Sequence, residues 1–344
     1  MSFSALKGQD RAVALLRRAV ESGGTAHALL FTGLAGVGKT TAARAVAKLI
    51  NCEEPRDGDG CGKCVSCRRL DGGNHPDFAM ITAEGSRIKI DQIREFNNQL
   101  GFPPVAGNWR VCVVRRAETM TEEASNAFLK TLEEPPPGNI LILTASEPRD
   151  LLPTIVSRCR RVSFRPLSTD DVATVLAGKR GLDLESVRVL AGMSGGSPGR
   201  AISMHEYGFL EKRLGWLEML DGIFEKPADE IVPVAVSLST GEKKRGKKGS
   251  EDEDPFGLSA VLEVWGHWYR DMLVVKEGGA AGLLANPDLT VKLKNSAERF
   301  SVESLVEGME VLDQARRDLM RMRNTTLVLE HAMLLLKRSG GGGR

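Results

Sequence analysis

Apolar residues follow two different rhythms along the chain, and the change of rhythm divides it. Through residues 1–165, short apolar runs such as "ALLFT" (28–32), "FAMI" (78–81), "VCVV" (111–114) and "ILILT" (140–144) alternate with segments of helical spacing. Unalternated apolar runs of four or five residues read as strands buried on both faces. Their regular separation by helices is the βαβ signal for a parallel sheet flanked by helices. After about residue 208 the runs give way to apolar residues three and four apart, in "YGFLEKRLGWLEMLDGIF", "LSAVLEVWGHWYRDMLVV" and "SVESLVEGMEVLDQARRDLMRMRNTTLVLEHAMLLLKR", which predicts a wholly helical region. Between the two, Pro166 to Thr169 punctuates the chain, with Ser168 and Thr169 as N-cap candidates. "DDVATVLAGKRGLDLESVRVLAGMSGGSPGRAISMH" then reads as a group of short helices. The expected domains are 1–165, 166–208 and 209–338, followed by a flexible tail, 339–344.

Composition narrows the class. A chain of 344 residues with 27% charged and 42% apolar residues suits a soluble protein of two or three domains. Its net charge of +2 means that contact with nucleic acid must come from local patches or partner chains. No run approaches the roughly 18 apolar residues of a membrane span. The opening "MSFSALKGQDRAV" lacks an apolar signal core, so a cytoplasmic protein with no membrane partner is expected. In "GEKKRGKKGSEDEDP" (241–255) a basic block meets four acids in a Gly/Ser/Pro frame. It is expected to be a disordered loop rather than a DNA contact, because the adjoining acids offset attraction to phosphate. Trp265, Trp268 and Tyr269 beside Arg270 could stack bases. Leu262, Trp265 and Trp268 nevertheless fall at helical spacing, which favours a core or subunit interface.

Two motifs carry chemistry. In "HALLFTGLAGVGKTTAARAVAKLI" an apolar strand, Ala28 to Thr32, runs through Gly33-x-x-x-x-Gly38-Lys39-Thr40 into an alanine-rich helix, the strand-loop-helix setting that a phosphate-binding loop requires. Backbone amides would cradle phosphates, Lys39 would reach the β and γ oxygens, and Thr40 would offer its hydroxyl to Mg²⁺. Gly33, Gly36, Gly38, Lys39, Thr40 and Thr41 are the candidate ATP or ADP ligands; a chance glycine-rich turn is the alternative. Downstream, Cys52, Cys61, Cys64 and Cys67 stand at C-x8-C-x2-C-x2-C spacing in a chain without a secretory signal. That pattern points to a closed tetrathiolate shell around a structural Zn²⁺; four reduced thiols in a loop are the alternative.

Hydrolysis needs a carboxylate at the end of a neighbouring strand to hold Mg²⁺ and orient water. After "VCVV" stand Arg115 and Arg116 instead, and neither can ligate Mg²⁺ or accept a proton at pH 7. Glu118 comes two residues later, past the expected strand end. Asp77 precedes its strand, and "ILILTASEP" has no acid before Glu147. The residues describe a module that holds a nucleotide and cleaves it poorly.

"NAFLKTLEEPP" (126–136), "SRC" (157–159), the four cysteines after the P-loop helix, "HPDF" (75–78) and "GGSPGRAI" (195–202) together resemble the clamp-loader branch of the AAA+ ATPases, and within it the delta-prime family of bacterial DNA polymerase III subunits. The resemblance covers roughly residues 5–205 and continues weakly to the end. It implies an α/β P-loop AAA+ domain with a zinc-binding insertion, a small helical lid domain and an all-α C-terminal collar domain. It further implies a hetero-oligomeric ring with gamma/tau and delta subunits that loads the sliding clamp onto primed DNA. It implies that Arg158 acts as an arginine finger on ATP bound by a neighbour, whereas the residues alone favour a surface salt bridge for Arg158 and a packing thiol for Cys159. Polymerase activity and appreciable ATPase activity of the chain itself are not expected. The sequence departs from the family's motors at Arg115-Arg116, where they carry acids, and at Gly199, where they carry a sensor arginine; Arg200 is displaced by one. An ATP-hydrolysing gamma/tau-type subunit and a zinc-containing nucleic-acid-binding module with a vestigial P-loop are the rival readings.

Overall fold

The apolar runs become neighbours in one sheet. In the computed structural model, which describes residues 2–21, 27–179, 181–245 and 256–340, five strands form: β1 (Ala28–Thr32), β2 (Phe78–Ile81), β3 (Arg110–Val114), β4 (Asn139–Ala145) and β5 (Arg160–Ser163). All their pairings are parallel, in the order β2-β3-β4-β1-β5. β1, β3 and β4 are buried at every position, as expected of central strands covered on both faces. β5, "RRVS", buries only Val162 and gave no apolar run to read. Its place at the sheet edge comes from pairing with β1, with Leu30 opposite Arg161 and Phe31 opposite Val162.

Six helices belong to this layer: α1 (Asp10–Glu21), α2 (Lys39–Ile50), α3 (Val65–Asp71), α4 (Ile90–Leu100), α5 (Glu122–Glu133) and α6 (Pro153–Arg158). Ile93, Phe96 and Leu100 of α4 and Ala124, Phe128 and Leu132 of α5 recur at helical spacing, so each helix turns one apolar stripe to the sheet residues Leu30, Cys112, Val114, Leu141 and Leu143. Phe96 and Phe128 meet at 6.1 Å between centroids. Burying a phenylalanine this completely stabilises by about 1.5–3 kcal/mol. Thr121 caps α5 by accepting from the Ala124 amide at 3.2 Å.

The "HPDF" segment explains itself at the amino end of the sheet. Asp77 is wholly buried, and its carboxylate accepts the backbone N–H groups of Val105, Ala106 and Gly107 at 2.7, 2.7 and 2.8 Å. Burial opposes its ionisation, but these three amides outweigh that and hold the carboxyl below the usual range. Asp77 thus orders the loop entering β3, at the end of the strands away from the P-loop. His75 links it to α3 through Nε2 and Ser66 Oγ, 3.1 Å apart.

The described residues group into two compact units: those up to Asp171 with Gly196–Gly199, and Val172–Gly195 with those from Arg200 onward. Helices α7 (Thr169–Ala177), α8 (Leu184–Met193) and α9 (Pro198–Glu206) are followed by α10 (Phe209–Glu225), α11 (Ile231–Arg245), α12 (Leu258–Lys276), α13 (Thr290–Ala297), α14 (Val302–Met320) and α15 (Thr325–Gly340). No strand forms after β5 among the described residues. Trp265, Trp268 and Tyr269 are core residues, 0%, 2% and 0% exposed, so they are not a base-stacking surface. Trp265 Nε1 donates to Trp216 O at 2.7 Å. Helix α14 approaches α12 closely at Gly308, where an added Cβ would lie 2.2 Å from the Tyr269 ring.

Helix α11 runs on through residues 241–245, and α15 through 339–340, so the loop expected from 241 and the tail expected from 339 begin as helix. The remainder of both, 246–255 and 341–344, lies outside the described residues. Among the described residues no helix is long and apolar enough to cross a membrane.

Candidate functional site

The chain leaves β1 through a turn that only glycine permits. Gly33 sits at φ +139°, and a Cβ there would lie 2.3 Å from Phe164 O. Its amide donates to Ser146 O at 3.0 Å, tying the loop to the end of β4. Gly36 and Gly38 also take positive φ, +75° and +108°, and Gly38 opens α2 with no side chain capping its first turn. Uncapped amides at a helix N-terminus form a ready anion site. A cavity of about 260 Å³ lies over them, lined by Gly36, Gly38, Lys39, Thr40 and Thr41. Gly33 does not line it; that glycine serves close packing against the residue after β5. Lys39 Nζ turns onto the loop carbonyls, donating to Gly33 O and, at 2.8 Å, to Leu34 O. Burial lowers the lysine's pKa, and the charge of Glu118 partly offsets this.

The far wall of the cavity comes from the ends of β3 and β4, the edge at which parallel sheets bind ligands. Beyond Val114 the amide of Arg115 still pairs with Ile81 O at 2.9 Å. Arg116 then takes a left-handed conformation, φ +53°, with its amide on Thr144 Oγ1 at 3.0 Å. This bend folds the short turn Ala117–Thr119 back on the strand and returns Glu118 to the cavity beside Arg115, Arg116, Thr144 and Ser146. Glu118 lies past the end of β3, as expected, yet the bend returns it to the cavity lining. Its carboxylate is 18% exposed and stands 3.9 Å from Arg116 Nε and 3.5 Å from Ser146 Oγ. Its Oε2 is buried with no hydrogen-bond partner. No pattern of residue types reveals this, because it depends on one backbone residue leaving the β region.

Residues 197–199 rest on the same loop. Ser197 Oγ donates to Ala35 O at 2.7 Å and the Gly199 amide to Gly36 O at 2.9 Å. A Cβ on Gly199 would stand 2.7 Å from Gly36 Cα, so the position expected to bear a sensor arginine in motors is closed to side chains here. Arg200 makes two hydrogen bonds to Glu263 of α12, at 2.8 and 2.6 Å.

Arg158 ends α6 with its side chain 34% exposed; Nη1 donates to Thr154 O at 3.0 Å and Nη2 pairs with Glu133 at the end of α5. The surface ion pair expected from the residues alone therefore exists. Cys159 is buried, which pushes its thiol up to about 12.

Cys52, Cys61, Cys64 and Cys67 converge just beyond α2, with their sulfurs all within 4.8 Å of one another. Sulfurs on a tetrahedral Zn²⁺ lie about 3.8 Å apart, given Zn–S bonds of about 2.3 Å; Cys61 and Cys67 Sγ are 4.0 Å apart. Backbone amides point at the sulfurs: Lys63 and Cys64 to Cys61 Sγ at 3.4 Å, Cys67 to Cys64 Sγ at 3.4 Å and Cys61 to Cys52 Sγ at 3.2 Å. The amides on Cys61 pull its pKa down to about 6 and favour its thiolate, whereas burial raises the thiols of Cys52 and Cys67. Gly62 makes the turn at φ +72°. Donor set and spacing fit one closed-shell metal ion.

A five-stranded parallel sheet with a P-loop after its β1 strand, a four-cysteine cluster after the P-loop helix and a C-terminal all-helical region defines an AAA+ protein of the clamp-loader type. The comparisons agree. A family model described as "DNA polymerase III, delta subunit" matches residues 8–168, and one described as "DNA polymerase III, delta subunit, C terminal" matches 258–338. Subunit delta' of Bacillus subtilis is 26% identical over 96% of this chain and 96% of its own length. That of Pseudomonas aeruginosa is 34% identical over 62% of this chain and 66% of its own length. Subunit tau of Bacillus subtilis is also 26% identical over 96% of this chain, which spans 61% of tau. The chain belongs to the clamp-loader subunit family of DNA polymerase III.

Proposed function

We propose that this chain is a delta-prime-type clamp-loader subunit, one that holds a nucleotide, cleaves it poorly and presents Arg158 to ATP bound by a neighbouring subunit. The observation that carries this reading is the end of β3, where two guanidiniums line the phosphate cavity at the position a hydrolytic site gives to acids. The ring neighbours are gamma/tau and delta subunits. Through the complex the chain serves the loading of the sliding clamp onto primed DNA.

Arg158 suits the part chemically. It lies at a helix end on the surface, and its planar fork can contact two phosphate oxygens at once. Delivered in trans, such a charge neutralises the transferring phosphoryl, worth about 10³- to 10⁵-fold in rate in well-studied GTPases. Glu133 holds the guanidinium until a stronger anion replaces it. The cysteine cluster takes a structural Zn²⁺ whose closed shell leaves no position for water, so its contribution is to fix residues 52–67.

In the reconstituted complex, Arg158→Ala should lower clamp- and DNA-stimulated ATP hydrolysis while leaving this chain's fold, metal content and nucleotide binding intact. Arg158→Lys should rescue poorly. Unchanged hydrolysis and clamp loading by a normally assembled Arg158→Ala complex refutes the trans role. A second reading, an ATP-hydrolysing gamma/tau-type subunit, draws support from Glu118 in the cavity and from the similarity to tau. Steady ATP turnover by the isolated chain, abolished by Lys39→Ala, selects it.

A further inference from the structure

P-loop sites ordinarily bind nucleotide together with a divalent ion, held by the loop hydroxyl and a carboxylate from a strand end. The residues of this cavity do not fit that ion. Thr40 supplies a hydroxyl, but the strand end supplies Arg115 and Arg116. The one carboxylate, Glu118, is already met by Arg116 Nε at 3.9 Å and by the charge of Lys39. Three cations and one carboxylate line a concave space, so a Mg²⁺ entering it meets like charge on two sides. Mg²⁺ also demands near-octahedral oxygen donors and gives up its water reluctantly.

We infer that this site binds nucleotide phosphates without a divalent ion, Lys39, Arg115 and Arg116 supplying the charge that Mg²⁺ supplies elsewhere. The inference rests on the nucleotide-binding reading above and adds how the charge is balanced. Three cations against one carboxylate leave a net positive cavity to face the roughly three negative charges of a nucleoside diphosphate. The guanidiniums give directed, paired hydrogen bonds where an ion would give a point charge. Arg115 is exposed and has no acidic partner among the described residues, so contacting a phosphate disrupts no existing ion pair. Arg116 is 70% exposed, and a phosphate would compete with Glu118, 3.9 Å away, for its guanidinium. Glu118 then acts against the ligand: it lines the same cavity, and its buried Oε2 has no donor to offset its charge.

Isothermal calorimetry of the full chain with ADP and with ATP, each in Mg²⁺ and in EDTA, tests this. Dissociation constants should agree within about twofold between the two solutions. Arg115→Gln/Arg116→Gln should weaken binding about tenfold in both, the loss of one or two charge-assisted hydrogen bonds. Glu118→Gln should tighten binding severalfold in EDTA. Arg115→Asp/Arg116→Glu should bind only when Mg²⁺ is present. Tenfold or greater weakening of the unmodified chain in EDTA, or a Glu118→Gln loss confined to Mg²⁺, overturns the inference and makes Glu118 the ion's ligand. Absence of binding in both solutions overturns the nucleotide reading itself.

Discussion

Replacing Gly199 by alanine tests whether the P-loop is held by contact with residues 197–199. The added Cβ would stand 2.7 Å from Gly36 Cα and 2.9 Å from Gly36 O, whereas carbon atoms settle at about 3.5–4.0 Å. About 0.8 Å must be opened against backbone on both sides. The loop has little room to give, because its start is fixed by the Gly33 amide on Ser146 O and its end by α2. Overpacking of this kind costs about 1–3 kcal/mol. Opening the gap also breaks the 2.9 Å bond from the Gly199 amide to Gly36 O, worth about 1 kcal/mol. The expected loss is therefore roughly 2–4 kcal/mol, concentrated on the loop. Denaturant unfolding measures the total, and hydrogen exchange across residues 28–50 locates it. Ser197→Ala, which removes the hydroxyl bond to Ala35 O without adding atoms beside Gly36, should cost about 1 kcal/mol for that bond and is the control. If Gly199→Ala unfolds and exchanges like the parent, the loop is not held there.

Two further outcomes are expected. The purified chain should carry one Zn²⁺, lost in Cys61→Ser/Cys64→Ser, and stripping it should raise hydrogen exchange in residues 52–67 far more than in β1, β3 and β4, because the ligands bracket a loop outside the sheet. Metal analysis returning none under reducing conditions refutes this. For Glu263, burial opposes ionisation, yet His267, 3.7 Å away, and the two hydrogen bonds from Arg200 outweigh it and hold the carboxyl at about 2, against 4.5 unperturbed. A depressed carboxylate stabilises above its unfolded pKa and loses that contribution as pH falls through the folded value. The stability gap between the parent and Glu263→Gln, roughly 3 kcal/mol near neutrality, should therefore close between about pH 5 and pH 2 in acid-titrated unfolding. A gap that persists at pH 2 refutes the assignment.

The sequence by itself determined whatever depends on neighbours along the chain. Ala28–Thr32 was legible as a strand, and "GLAGVGKT" as a glycine-rich turn into a helix, because a buried run followed by glycines and an alanine-rich helix leaves few conformations open. The cysteines were legible because their spacing lets adjacent pairs converge, and the helical region because its spacing is sustained over long stretches. Only the tertiary structure decided the rest. β5 carries "RRVS" and becomes a strand only because β1 offers it an unpaired edge. Gly199 cannot bear a side chain because Gly36, 163 residues earlier, occupies the space. Glu118 reaches the cavity at the start of α2 because Arg116 adopts a left-handed turn fixed by Thr144, a residue on another strand. Spacing and residue type encode local geometry; which distant atoms share a cavity, and hence which charges face a ligand, is settled by packing across the sheet.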